Sequence, residues 1–269
     1  MATNTNDYKI DSRKPVKLDS WATRYEGKLT KEEAKEETSA LIKRLKDLQE
    51  LLYADGSQAL LVVIQAMDAA GKDSTIKNIF GPVNPQGCKV VSFKAPNSTE
   101  LAHDFLWRVH QNVPRKGIIG VFNRSHYEDI LIGRVKGLAP KERIEKRYDS
   151  INSFEALLGD EGTRVVKFFL HISRDYQKEQ LQERLDTPSK NWKFNPSDIP
   201  ERLLWDDYKK AFELAFERCS CPEAPWYIVP AERKWFRNLL VAKVLVETLE
   251  SMELKYPTIT YDPKTIKIP

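Results

Sequence analysis

The chain has 269 residues, of which 41% are hydrophobic and 30% charged, with a formal net charge of +4. Such a length can bury one full core, or one core plus an insert, and the composition excludes a disordered or fibrous chain. Lys and Arg are interleaved with nearly as many acids, so the mild basic balance favours anionic ligands without demanding nucleic acid; Cys88, Cys219 and Cys221 match neither a disulfide framework nor a zinc spacing.

Residues 1 to about 28 are polar and weakly periodic, which predicts an extended arm on the surface of the domain or of a partner subunit. No apolar stretch is long enough for a signal sequence or a membrane span, so the expectation is a cytoplasmic protein in a reducing compartment, with no membrane or nucleic-acid partner. Thr30 and Glu33 resemble a capping box. Leu41, Ile42, Leu45, Leu48, Leu51 and Leu52 then recur at helical spacing, and Ala-Asp-Gly at 54–56 ends that helix.

The run Leu60-Leu61-Val62-Val63-Ile64 reads as a strand. It stops at Asp68-Ala69-Ala70-Gly71-Lys72-Asp73-Ser74, and helical spacing follows. Strand, small polar turn and helix make a phosphate loop: backbone N–H groups and the helix N-terminus surround the anion, Gly71 admits it closely, and Lys72 reaches the transferred phosphoryl group. The match to G-x-x-x-x-G-K-[ST] is loose, with Ala66 in place of the first glycine, Asp73 where a metal-binding hydroxyl belongs, and Ser74 one place late. The same turn also reads as a helix N-cap with Asp73 and Ser74 in its first turn.

Downstream, 82–87 is a turn, 89–94 a strand, 99–113 a helix and 118–122 a third strand ending in Asn123-Arg124-Ser125-His126-Tyr127-Glu128-Asp129. A basic helix over 140–158, a fourth strand over 165–172, a charged helix over 175–185 and a proline-containing loop over 186–200 follow. A helix over 199–219, a fifth strand over 226–230 and a closing helix over 234–252 complete the chain. Alternating strands and helices predict an α/β fold with a mostly parallel sheet covered on both faces.

Ligands of such sheets sit at the carboxyl ends of the strands, which singles out Asp68 and Lys72, then Arg124, Glu128 and Asp129, and Arg174 near the fourth strand. Carboxylates facing a lysine-bearing phosphate loop suit magnesium-assisted phosphoryl transfer. Glu128 and Asp129 alternatively face a helix dipole, which leaves Arg124 unexplained. Cations at Arg184, Lys190, Lys193, Arg202, Lys209 and Lys210 surround the proline loop, as in a lid that closes over a nucleotide kinase site or as in a solvated hairpin packed through Trp192 and Trp205. His103, His110, His126 and His171 make no metal-ligand spacing.

Four blocks, 66–73, 122–129, 167–173 and 224–231, together resemble the second family of polyphosphate kinases, and in this order they cover nearly the whole chain. The resemblance implies a single thymidylate-kinase-like P-loop domain with a three-layer sandwich, an N-terminal arm and helix over about 1–55 and a helical lid over about 184–210. It further implies transfer of phosphate between inorganic polyphosphate and nucleotides (AMP, ADP, ATP and potentially guanine nucleotides) with Mg2+ or alternatively Mn2+, in a homodimer or homotetramer. On the matching positions it implies Asp68 as metal ligand and acceptor orienter, Lys72 and Arg124 as phosphate clamps, and Arg134 and Arg184 as polyphosphate contacts. Asn123 stands where many members carry Asp, which leaves Asp129 as the candidate second metal ligand, and the combination with 126–129 is similar to the subgroup that phosphorylates both mono- and diphosphates. The rivals are an ATP-dependent nucleoside monophosphate kinase, which would need the missing glycine and hydroxyl, and a non-catalytic anion-binding module.

Overall fold

A computed structural model describes residues 3–11 and 14–268; the parts of the predicted arm at 1–2 and 12–13 lie outside them. β1 (Ala59–Ala66) is buried at every position. Successive side chains of a strand point to opposite faces. Leu60, Val62 and Ile64 therefore join one apolar layer while Leu61 and Val63 join the other. The first layer packs α1 (Lys31–Asp55), α2 (Lys72–Phe80) and α10 (Lys234–Glu250) against the sheet; the second packs α5 (Glu128–Val135), α6 (Lys141–Asp160) and α9 (Trp205–Cys219). This is why the first strand reads as an unbroken apolar run rather than an alternating one.

The five strands, β1, β2 (Cys88–Ser92), β3 (Ile119–Asn123), β4 (Thr163–His171) and β5 (Trp226–Pro230), are all parallel in the order β2-β3-β1-β4-β5. The fold is the expected three-layer P-loop kinase sandwich, with the loop after β1 near the middle of the carboxyl edge. α1 opens on the predicted Thr30–Glu33 capping box and ends at Gly56, whose φ of 65° is left-handed.

Several expected boundaries move. The helix expected over 99–113 is two short turns, α3 (Ser98–Leu101) and α4 (Trp107–His110), because the Asp104 carboxylate accepts from Leu106 N at 2.9 Å and competes with the helical ladder. α5 is the helix whose dipole Glu128 and Asp129 are alternatively expected to face, with both acids in its first turn. The expected 199–219 helix divides at Leu204 into α8 (Asp198–Leu203) and α9, and Trp205 at the break packs against both apolar layers. α7 (Arg174–Asp186) leads into a 3-10 turn over Pro188–Lys193, within the segment expected as a lid. The arm lies on the domain itself, where Lys9 bridges Tyr227 antiparallel and Ile10 N donates to Trp226 O at 2.9 Å along the edge of β5.

Candidate active site

The loop between β1 and α2 turns on two left-handed residues, Ala69 at φ 64° and Gly71 at φ 97°. Gly71 is the N-cap of α2, so the first helical N–H groups face the loop without a side-chain cap. Lys72, the first helical residue, points its Nζ at Ala66 O (3.4 Å). Burial, and then the charge of Arg124, pull the Lys72 ammonium down to about 8. The turn is also a helix N-cap with Asp73 and Ser74 in its first turn, but the cap residue is Gly71 and no side chain caps it. Asp73 accepts from Asn123 Nδ2 at 2.7 Å, and the Ser74 hydroxyl donates to Gly71 O at 2.9 Å while accepting from Arg237 at 2.8 Å.

Asp68 and Arg124 face each other across the ends of β1 and β3, with Arg124 Nη2 donating to Asp68 Oδ1 at 2.5 Å and Nη1 to Glu128 Oε2 at 3.1 Å. Burial raises the Asp68 pKa, but Lys72 and Arg124 outweigh it, and the carboxyl sits below its ordinary value. Arg124 is a non-glycine residue at φ 61°, in the left-handed region, and such strain persists only where surroundings over-determine it. Arg124 N is tied to Ile64 O at 3.1 Å, and a buried polar cluster lies just behind. Lys167 Nζ donates to Tyr127 OH (3.0 Å), to Cys219 O (2.7 Å) and to Glu155, which also holds His126 Nε2 at 3.2 Å. These groups fix the turn that carries Arg124 and Glu128.

Three cavities meet at this pair. A cleft of about 670 Å³ holds the phosphate loop, with eight Lys and Arg side chains against four carboxylates. Arg184, Lys190 and Lys193 are on its lid wall, where Arg184 contacts Asp198 at 3.5 Å, Lys190 pairs with Glu183, and Lys193 Nζ lies 5.1 Å from the Trp192 ring centre. A second cavity, of about 430 Å³, has apolar walls from Phe93, Pro96, Leu101 and Leu138 and charged ones from Lys94, Arg108, Arg124 and Arg147 with Glu128 and Asp129. A third, of about 280 Å³, lies under α8 and α9 and contains Asp68, Arg124, Glu128 and Arg202. Asp68 thus borders two of the three cavities and Arg124 all of them.

Not every expected residue reaches the loop. Asp129 lies between Arg108 and Arg147, each at 3.7 Å, in the second cavity, and burial raises its pKa despite both arginines. α5 begins at Glu128, and consecutive helical residues are turned about 100° apart, so only one of the two acids can face Arg124. The residue expected as the second metal carboxylate thus lies beside two guanidinium groups in the second cavity and is not among the side chains of the loop cleft. Arg134 pairs with Glu145 from α6 beside Tyr148 and is not among the side chains of the cationic cleft. Arg202 donates to Arg174 O (2.6 Å) and Gln177 Oε1 (2.9 Å), bracing the third cavity. His103 stacks on Trp107, His110 packs on Phe154, and His171 Nε2 lies 3.2 Å from Leu18 O.

Two groups escaped the sequence-based reading. Gln177 Nε2 holds Asp68 O at 3.0 Å, and Arg237, almost wholly buried on α10, reaches up to Ala70 and Ser74. The signal for Arg237 was present: it occupies the apolar stripe of Leu240, Val241 and Val244, where a cation is out of place. As for a metal, no group of three or more His, Cys, Asp or Glu among the described residues could hold one alone. Magnesium asks for less, being bound by one or two carboxylates together with substrate phosphates, and Asp68 as an ionised carboxylate beside the loop fits that donor set.

Residues 28–257 match the family Polyphosphate kinase 2 (PPK2). The chain is 55% identical over 227 residues to the AMP/ADP-polyphosphate phosphotransferase of Meiothermus ruber, covering 84% of this chain and 85% of that protein. It is 44% identical over 276 residues to the ADP-polyphosphate phosphotransferase of Rhodopseudomonas palustris, covering 97% and 94%. Among solved structures, Polyphosphate Kinase 2 from Arthrobacter aurescens TC1 superimposes with a TM-score of 0.93 at 40% identity, over 98% of this chain and 95% of that one.

Proposed function

The chain belongs to the polyphosphate kinase 2 family and is a polyphosphate-dependent nucleotide phosphotransferase, and we propose that it moves a phosphoryl group reversibly between inorganic polyphosphate in the Lys72 cleft and AMP or ADP in the Phe93–Glu128 cavity. One observation carries this division of sites: the loop cleft has the larger excess of cations, eight Lys and Arg against four carboxylates, whereas its neighbour has four against two and the apolar walls of Phe93, Pro96, Leu101 and Leu138, and Arg124 borders both. A long polyanion suits the first; a purine with a short phosphate tail suits the second.

Transfer of a phosphoryl group is largely a matter of positioning and of charge stabilisation. The N–H groups at the start of α2 and the Lys72 ammonium hold the donor, and Arg124 spreads its charge over the phosphoryl group passing between the cavities. Asp68 would hold magnesium, which would supply neutralisation of charge on the phosphate oxygens. Glu128, fixed by Arg124, faces the acceptor. Arg184, Lys190 and Lys193 exchange their present carboxylate, carbonyl and ring contacts for phosphates as the lid closes and excludes water.

The same reading includes a cytoplasmic setting, supported by three free thiols and by the absence, among the described residues, of any helix long and apolar enough to cross a membrane. It includes a homodimer or homotetramer, supported by exposed apolar side chains outside the three cavities, such as Leu157, Tyr256 and Ile268. The test is direct: purified protein with magnesium and AMP or ADP, supplied with polyphosphate in one reaction and ATP in another. Product from polyphosphate alone is the expected result, and product only from ATP would overturn it.

A further inference from the structure

Arg237 is 1% exposed and has no carboxylate partner among the described residues. Its hydrogen bonds go to neutral oxygens only: Ala70 O at 3.3 Å, Ser74 Oγ at 2.8 Å and Asn238 Oδ1 at 3.3–3.4 Å. A buried guanidinium without an anion is costly, and native structures keep such a group where a ligand supplies the missing charge. The placement is specific. A Cβ on Gly71 would fall 2.2 Å from Arg237 Nη1, so the glycine at the centre of the loop is needed both for its φ of 97° and for the space the guanidinium fills. Arg237 borders the cationic cleft and is absent from the Phe93–Glu128 cavity. Burial draws its pKa down to about 10, with Tyr176 opposing it and no carboxylate contributing.

We propose that Arg237 is the third cation of the phosphate loop, placed behind Gly71 to neutralise the polyphosphate held there, and that it governs affinity for the donor and not for the acceptor. The inference rests on the assignment of the cleft to polyphosphate. It also explains how a loop without its first glycine and without a free hydroxyl after Lys72 holds a condensed phosphate: Ser74 is committed to Gly71 O and to Arg237, and the charge comes from a distant helix.

The experiment compares wild type, Arg237→Met and Arg237→Lys, with inorganic tripolyphosphate as the probe. Calorimetric Kd, the rise in Tm on adding tripolyphosphate, and KM for polyphosphate and for ADP are measured at fixed ionic strength. The expected result for Arg237→Met is a Kd and a polyphosphate KM raised roughly tenfold or more, an ADP KM changed less than about threefold, and a ligand-free Tm that does not fall, because an apolar side chain replaces an unpaired buried charge. Arg237→Lys keeps the charge and recovers part of the affinity. A lower ligand-free Tm with unchanged Kd would make Arg237 a packing strut, and equal rises in both KM values would remove its donor selectivity; either overturns the inference alone. Failure of the wild type to bind tripolyphosphate would instead overturn the assignment of the cleft, and this inference with it.

Discussion

Arg124 Nη2 donates to Asp68 Oδ1 at 2.5 Å across the carboxyl ends of two neighbouring strands, with the guanidinium on a left-handed backbone. The pair is partly exposed, so its worth lies in placing a fork of donors and an ionised carboxylate at one point and not in stability. Asp68→Asn and Arg124→Lys are expected to lower kcat by roughly 10²–10³ each, since a preorganised charge aimed at the transferring group is worth about that much. Lysine cannot hold Asp68 and Glu128 together. The check is steady-state kinetics beside thermal melting, with Tm expected to stay close to wild type.

Lys72 supplies a pH dependence. Burial, followed by Arg124, lowers its pKa to about 8 in the free protein, and binding a polyanion raises it. The contribution of Lys72 to polyphosphate binding is therefore complete below about pH 8 and is lost as pH rises through the pKa of the bound state. Tripolyphosphate Kd is expected to be flat with respect to Lys72 up to about pH 8 and to weaken above it by at most about tenfold per pH unit. Lys72→Arg should lack this limb, and the comparison cancels titration of the anion itself.

Glu128 borders the acceptor cavity and is oriented by Arg124 at 3.1 Å. A monophosphate ends one phosphoryl unit short of a diphosphate, and a carboxylate there fills the difference in charge and space. Glu128→Asn is expected to lower kcat/KM for AMP roughly tenfold more than for ADP. Parallel assays with the two acceptors decide it, and equal losses would exclude Glu128 from acceptor choice.

The lid cations differ among themselves. Lys190 and Lys193 border the cationic cleft, whereas Arg202 is held by Arg174 O and Gln177 in the neighbouring cavity. Lys190→Ala with Lys193→Ala should raise polyphosphate KM severalfold, with the loss shrinking at high salt because contacts between exposed charges are screened within about 10 Å at 0.1 M. Arg202→Ala should leave that salt dependence as in the wild type. A salt series of KM values separates the two.

Behind the site, Lys167 and Glu155 are both buried and paired, together with Tyr127 and His126. Removing one partner leaves an uncompensated buried charge, so Lys167→Met is expected to cost about 3–5 kcal/mol, read from urea denaturation, whereas Lys167→Met combined with Glu155→Met should recover most of it.

What could be read from the sequence was local. Strand, Gly-Lys turn and helix are contiguous, and the Arg124–Glu128 pair immediately follows a strand, so periodicity alone brought them to the same edge of the sheet. The choice between Glu128 and Asp129 depended on the residue at which α5 starts, and composition does not fix a helix boundary to one residue. Arg134 came from the resemblance alone, and its partner Glu145 belongs to a separate helix that spacing does not bring beside it. Arg237 touches a loop that lies far away in sequence, and only its intrusion into an apolar stripe betrays it.

The arm that runs beside β5 has a consequence for biosynthesis. Lys9 and Ile10 are synthesised before every strand of the sheet, yet Trp226 and Tyr227, which they pair with, belong to β5, which follows the other four. Contacts of such long sequence separation form late because closing the intervening loop is entropically expensive. During translation the arm waits unpaired while the central strands assemble, and the edge of β5 stays open until the arm reaches it. Docking of the arm is thus a closing step of folding, and a nascent chain halted before β5 would leave it without its partner strand.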